Sequence, residues 1–298
     1  MEKQVVIATH DGMFHSDDVF AVAILLLALD SAPVITHIVR TRDEDVIRKA
    51  DFVADVGGVY DAEKNRFDHH QVGGAGKRGN GVPFAAFGLV WKKFGKEVSG
   101  NEEIAGSIDV SLVSAIDSHD SGVDIFTKIF PEISPYLVQD VIQNYRPTWQ
   151  EPLESVDEKF LEAVAFAKKT LERQIITARA TIAAKDLVEK AYLNAPDKRI
   201  VSLDGFYPSE KTLSAFSEPL FSVSPRPDGL WNVRAIRSDS STFKNRKDLP
   251  ENWAGKRDAE LAEITGVSDA VFCHNGRFMA VAKSKEGAIK LAELALNS

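Results

Sequence analysis

Five of the seven histidines in this chain lie in three short segments, and each segment pairs histidine with aspartate. The first runs Thr9-His10-Asp11-Gly12-Met13-Phe14-His15-Ser16-Asp17-Asp18. The second is Phe67-Asp68-His69-His70-Gln71, and the third Asp117-Ser118-His119-Asp120. A fourth segment, Asp55-Val56-Gly57-Gly58, adds a carboxylate beside two glycines. Imidazole and carboxylate without thiolate suit Mn²⁺, Mg²⁺, Fe²⁺ or Zn²⁺ rather than soft metals. So many ligands point to two metals. Two cations about 3.5–4 Å apart lower the pKa of a bridging water and clamp a phosphoryl group for in-line attack. Of His69 and His70, one imidazole can coordinate and the other can meet a phosphate, with Asp68 orienting one of them.

These segments need elements to hold them. Residues 4–9, QVVIAT, have the pattern of a short buried strand, and Asp17-Asp18 suits the N-cap of a helix running to Leu29. Strands are predicted over 33–41 and 51–56, with a short helix over 43–50 between them. Strands alternating with helices predict a parallel α/β sheet. Ligands gather beyond the carboxyl ends of such strands, where His10 and Asp55 stand. Gly73 to Gly81 predicts a flexible loop that offers Lys77 and Arg78 to a phosphate. It is not a Walker loop, because Arg78 follows Gly-Lys where Ser or Thr is needed. Helical patterns cover 84–94 and 102–120. A long amphipathic stretch from Val156 to Tyr192 contains no Gly or Pro and suits a core helix, a homodimer seam or a bridge between domains. Short strands over 199–203, 220–224, 231–237 and 270–274 and a helix over 286–296 predict a second, smaller α/β domain. The expected division is 1–150 for the metal-binding domain, 151–194 for a helical linker and 195–298 for the C-terminal domain.

Composition narrows the function. Hydrophobic residues make up 44% and charged residues 27%, the balance of a soluble protein with a sizeable core. The longest apolar run, Val19 to Leu29, falls short of a bilayer span, so no membrane partner is expected. A single cysteine, Cys273, excludes an internal disulfide and fits a cytoplasmic protein with a buried, inert thiol. The formal charge of −8 argues against broad gripping of duplex DNA. It leaves room for a short phosphorylated substrate met by metals or by a local basic patch. Residues 226–290, with twelve Lys and Arg against nine Asp and Glu, form the more basic part of the chain.

The motifs resemble a known superfamily. Asp68-His69-His70 is the signature of the DHH phosphoesterases. The order here is similar to theirs: a His/Asp cluster after the first strand, a strand-end Asp, DHH, then a further Asp. A closer resemblance is to the melanocyte-proliferating-gene-one family, whose pattern runs T-H-x-G-x-F-H-x-D at Thr9 to Asp17 and D-V-G-G-x-Y-D at Asp55 to Asp61. It continues as F-D-H-H-Q at Phe67 to Gln71 and I-D-x-x-D-x-G at Ile116 to Gly122. Segments through Trp231-Asn232-Val233, Leu249-Pro250, Trp253-Ala254-Gly255 and Phe272-Cys273-His274 extend it over nearly the whole chain. The resemblance implies an N-terminal DHH-type parallel sheet flanked by helices, a helical linker and a C-terminal domain that holds the substrate. It implies metal-dependent phosphodiester hydrolysis, as a 3′–5′ exonuclease on short single-stranded RNA, with two divalent ions, Mn²⁺ first and Mg²⁺ or Zn²⁺ as alternatives. Carried over, His15 holds one metal with His10 beside it, and Asp17, His69 and Asp117 hold the other. Asp55 bridges them, His70 meets the phosphate, and Asp68 orients or ligates. Asp120 shares the segment of Asp117, and either can be the ligand. In the C-terminal domain Arg246, His274 and Arg277 stand where a substrate clamp is expected. Pro147-Thr148-Trp149 is similar to the closer family's N-P-x-W segment, with Arg146 in place of its asparagine. Two departures matter: most of the superfamily has aspartate at His15, and the helix start reads Pro83-Phe84-Ala85-Ala86-Phe87-Gly88 where serines are expected before the glycine to meet phosphate.

Two other readings compete. One is a phosphatase of small molecules such as pyrophosphate, a dinucleotide or a cyclic dinucleotide. The other is a metal- or nucleotide-binding module without catalysis.

Overall fold

A computed structural model describes residues 3–239 and 242–298. The chain divides into two compact units, Met1–Ala178 and Arg179–Ser298.

The first unit is built on β1 (Lys3–Thr9), α1 (Ser16–Leu29), β2 (Val34–Arg40), α2 (Glu44–Lys49), β3 (Phe52–Ala54), β4 (Tyr60–Asp61) and β5 (Arg66–Phe67). Its sheet has the order β2-β1-β3-β5-β4, parallel except for β4 against β5. Because β1, β3 and β5 run in parallel, their carboxyl ends meet at one edge. Chain positions far apart, His10, Asp55 and Asp68, leave the sheet there together.

Helix α1 is apolar on every side and is buried from Ser16 to Leu25, as a helix inside a layered core must be. It packs on α3 (Ala86–Ser99), with Phe20 and Phe87 in ring contact at 5.3 Å. The expected cap at Asp17-Asp18 is displaced. His15 is the N-cap, with extended backbone, and Asp18 at the third helical position accepts from the His15 N–H at 2.7 Å. This is one arm of a capping box, and it draws the Asp18 carboxylate back over the helix start.

The predicted helix over 102–120 is broken into α4 (Glu102–Ile108), a π turn (Asp109–Val113) and α5 (Ser114–Asp120). Helix α6 (Val138–Gln143) follows, then α7 (Val156–Asn194), which crosses the boundary between the units.

The second unit contains β6 (Ile200–Ser202), α8 (Glu210–Ser214), β7 (Phe221–Pro225), β8 (Trp231–Ala235), α9 (Asp258–Thr265), β9 (Ala270–Cys273), β10 (Met279–Ala282) and α10 (Lys285–Leu296). Its sheet, in the order β6-β7-β8-β10-β9, is antiparallel apart from β6 against β7. Phe221, Val223, Val233 and Ala280 share a core with Leu291, Ala292 and Ala295 of α10. Among the described residues no helix is long and apolar enough to cross a membrane.

Candidate metal centre

Asp55 stands at the middle of the converging segments. Its Oδ2 lies 3.4 Å from His10 Nε2, and its Oδ1 lies 3.3 Å from His69 Nε2 and 3.4 Å from His70 Nδ1. The residue holds φ 58°, a left-handed backbone that aspartate tolerates and bulky or β-branched residues resist. Backbone strain of this kind is typical of functional sites. Three residues on, Gly58 at φ 68° turns its N–H to Asp68 Oδ2 at 2.6 Å, which accounts for the Asp-Val-Gly-Gly spacing.

The flanking groups are held from behind. His10 Nδ1–H donates to the Asp11 carbonyl at 2.8 Å, which leaves Nε2 facing Asp18 Oδ2 at 3.3 Å and Asp55. Asp68 Oδ1 accepts from the His70 N–H at 3.1 Å and from His70 Nδ1–H at 2.7 Å. His69 Nε2 lies 3.1 Å from Asp120 Oδ2 and 3.9 Å from Asp17 Oδ2.

Three overlapping groups of ligand atoms result, each gathered within 4.8 Å: Asp55, Asp68, His69 and His70; His10, His15 and Asp55; and His15, Asp17 and Asp120. His10 Nε2, Asp17 Oδ1, Asp18 Oδ2, Asp55 Oδ1 and His69 Nε2 are all buried without a well-formed hydrogen bond. Dry lone pairs are costly when left unsatisfied, and divalent cations would satisfy those of His10, Asp17, Asp55 and His69, which all belong to these groups. The donor set is nitrogen and oxygen throughout, as hard and borderline divalent ions require. These residues fit a metal centre.

The electrostatics describe a site built for positive charge. Burial alone would lower the His10 imidazole, but the carboxylates of Asp55 and Asp18 outweigh it and raise it to about 9. Burial likewise opposes His69, and Asp120 and Asp55 raise it to about 10. Burial works against charge on Asp55, yet contact with His10 and His69 brings it down to about 2. Asp17 is pushed well up by burial and by the charges of Asp55, Asp120 and Asp18. Burial also lifts Asp18, to about 7. His15 is lowered by burial and by the neighbouring Arg146 and His10 charges, so its lone pair is free at neutral pH.

The expected residues separate into those that meet and those that do not. His10, His15, Asp55, Asp68, His69, His70 and Asp120 line one cavity of about 880 Å³, with Asp17 buried behind them. Asp117 does not join them, because both its oxygens are committed elsewhere. Oδ1 accepts from the Gly88 N–H at 3.0 Å, and Oδ2 accepts from Arg78 at 2.7 Å. Gly88 is required there, since a Cβ would lie 1.8 Å from Asp117 Oδ2. Arg78 is correspondingly not a free phosphate contact. Its guanidinium also pairs with Asp109 at 2.7 Å and stacks on Phe84 at 4.3 Å, fastening the glycine loop to the helices. Lys77 is exposed, bridges to Pro83 and does not line the cavity.

In the second unit, Arg246 spends its donors on the carbonyls of Ser214, Phe216 and Pro219, so the expected substrate contact is a packing clamp instead. His274 Nδ1 accepts from the Gly276 N–H at 2.9 Å and Arg277 pairs with Asp248 at 3.2 Å, so both build the β9–β10 turn. Asp18 and Arg146 are site residues that the motifs hid. Asp18 resembles an ordinary helix cap, and Arg146 belongs to no histidine or aspartate cluster.

A family model for MYG1 exonuclease, described as "Uncharacterised protein family (UPF0160)", matches residues 6–296. A MYG1 protein of Schizosaccharomyces pombe is 30% identical over 324 aligned residues, covering 100% of this chain and 99% of that protein. The MYG1 exonuclease of Homo sapiens is 27% identical, covering 97% of this chain and 85% of its own. Among solved structures, RecJ of Thermus thermophilus in complex with Mn²⁺ aligns with 98% of this chain and 52% of its own, at 14% identity and a TM-score of 0.30. On the match that runs from residue 6 to residue 296, the chain belongs to the MYG1 exonuclease family.

Proposed function

We propose that this protein is a metal-dependent hydrolase of phosphodiester bonds, acting as a 3′–5′ exonuclease on short single-stranded RNA. The observation that carries the reading is the sharing of Asp55 and His15 among three His/Asp groups whose buried lone pairs lack partners. His15, Asp17, Asp55, His69 and Asp120, with His10 and Asp68, would hold two divalent ions, Mn²⁺ before Mg²⁺ or Zn²⁺. Such ions supply positive charge that acidifies a water and offsets charge on a phosphoryl oxygen.

The chain's own residues do the rest. Asp11 and Asp18 fix the His10 ring, and the Asp68 carboxylate fixes that of His70. The His70 side chain is 63% exposed on the cavity wall, so its Nε2 remains for the substrate phosphate. In its imidazolium form, with Nδ1–H kept on Asp68, Nε2–H can donate to a phosphoryl oxygen as negative charge develops.

The volume of about 880 Å³ also lies in the range of small-molecule pockets, which favours a short or small phosphorylated substrate as the second reading. The test is hydrolysis of a short 5′-labelled RNA by metal-stripped protein with Mn²⁺, Mg²⁺ or Zn²⁺ restored singly. A ladder that shortens by single nucleotides, needs metal and is lost in Asp55→Asn is the expected result. Intact RNA under every metal, with turnover of pyrophosphate or a cyclic dinucleotide, transfers the assignment to the small-molecule reading.

A further inference from the structure

Arg146 lines the same cavity as the metal-site residues. Other arginines of this unit, among them Arg42 in the same cavity and Arg40 at the same Phe14 ring, have carboxylates. Arg40 pairs with Asp157, Arg42 with Asp11 at 3.0 Å, and Arg78 with Asp109 and Asp117. Among the described residues, no carboxylate lies within ion-pair distance of Arg146. Its Nε is buried without a hydrogen-bond partner. The guanidinium lies 6.0 Å from the ring of fully buried Phe14, the residue just before His15.

Burial works against the Arg146 charge, Asp18 offsets it only from beyond ion-pair distance, and a buried N–H without an acceptor adds to the cost. The fold holds the group there nonetheless, on the segment that leaves α6, where the Arg146 N–H donates to the Gln143 carbonyl at 3.0 Å. The ligand that satisfies it must be anionic, rich in acceptors and able to enter a cavity walled by histidine and aspartate. A phosphoryl group meets all three conditions, and guanidinium is the side chain best matched to it.

We propose that Arg146 grips a non-bridging oxygen of the substrate's phosphoryl group, and that it is a substrate-binding residue of the metal centre rather than a structural cation. The assignment rests on the phosphoesterase reading for its substrate but not for its ligand, because inorganic phosphate carries the same chemistry. Phe14 limits the side chain's freedom beneath the group, so less rotamer entropy is lost when the anion binds.

The experiment uses the full chain loaded with Mn²⁺, comparing wild type with Arg146→Gln and Arg146→Lys. Calorimetry measures binding of Mn²⁺ and then of inorganic phosphate, and kinetics follow a short RNA and the diester bis-p-nitrophenyl phosphate. Arg146→Gln is expected to keep its Mn²⁺ affinity within about twofold while phosphate binding weakens about 10- to 100-fold, the loss of one charge-assisted contact. Arg146→Lys is expected to recover part of that binding, since a point charge replaces the fork. Unchanged phosphate affinity in Arg146→Gln overturns the proposal. So does loss of Mn²⁺ binding in both variants, which would make the residue structural. If wild type cleaves neither RNA nor the diester while phosphate binding still depends on Arg146, the phosphoesterase reading falls and the anion site stands. If wild type cleaves both and Arg146→Gln matches it in kcat and KM, the anion site falls and the phosphoesterase reading stands.

Discussion

Asp120 Oδ2 lies 3.1 Å from His69 Nε2, whereas Asp117, one helical turn earlier, has no contact with any histidine of the cavity. The two carboxylates are three residues apart on α5 and divide the work, one facing the metal-site residues and the other locking Arg78 and Gly88.

Substitution should separate them. Asp120→Asn is expected to lower metal-dependent hydrolysis by about 100-fold or more, as loss of a ligand does, with little change in stability. Asp117→Asn should cost about 3 kcal/mol of stability, because it strips a buried arginine of one partner. Denaturant melts and Mn²⁺ titrations of both variants test this. A normally stable Asp117→Asn that binds Mn²⁺ poorly would reverse the two roles.

Metal uptake should expel protons. In the metal-free protein His10 and His69 hold theirs up to about 9 and 10. A raised histidine pKa adds stability that is fully present below the unfolded value of about 6.5. That stability is lost as pH rises through the folded value. The metal-free protein is therefore expected to weaken between about pH 7 and 10, while its affinity for Mn²⁺ climbs over the same interval. Calorimetry at pH 7 in buffers of different ionisation heat should count at least two protons released per protein on saturation, from His10 and His69, with any proton held by Asp17 added to them. Uptake without proton release would take His10 and His69 out of the ligand set.

Backbone conformation at Asp55 sets a second constraint beside charge. Asn and Gly accept its positive φ, and Val does not. Asp55→Val should therefore be less stable than Asp55→Asn by about 1–3 kcal/mol in the absence of metal. Equal urea midpoints for the two would show that the left-handed backbone carries no strain.

The lone cysteine should be silent. Cys273 is fully buried in the core under α10, and burial pushes its thiol up to about 11. Ellman's reagent at pH 8 is expected to find no reactive thiol in the folded protein and one after unfolding. Rapid labelling of the native state would place the side chain at the surface.

The sequence made most of the site legible because parallel strands must end where their loops gather. Apolar runs ending at Thr9 and Ala54 were enough to bring His10 and Asp55 together, and the DHH motif supplied its own residues. Choosing between Asp117 and Asp120 was not possible from spacing. Residues three apart share a helix face, and only the tertiary partner, Arg78, decides which one turns away. Arg78 itself looked available because its loop is glycine-rich, and nothing local announces a pairing with Asp109, 31 residues later. Strands β4 and β5 have two residues each, too few for any periodicity. Strand β10, Met279-Ala280-Val281-Ala282, is four residues long and carries only one β-branched side chain, beside a turn. Arg146 shows in the sequence only as a mismatch to a family segment, where an arginine is ordinarily surface charge, and burial without a partner is what distinguishes it.

The π turn at Asp109–Val113 makes this site sensitive to insertion and deletion rather than to composition. A π turn holds one residue more than the α-helix it interrupts, and each residue advances the helix by about 100°. Removing exposed Val110 would restore the regular ladder and swing everything beyond it through about that angle. Asp117 would leave Arg78 and Gly88, and Asp120 would leave His69, in one step. Replacing Val110 by another residue should be harmless. Deleting it should abolish Mn²⁺ binding, although no side chain of the site has been altered, so across relatives this stretch should vary in its letters far more freely than in its length.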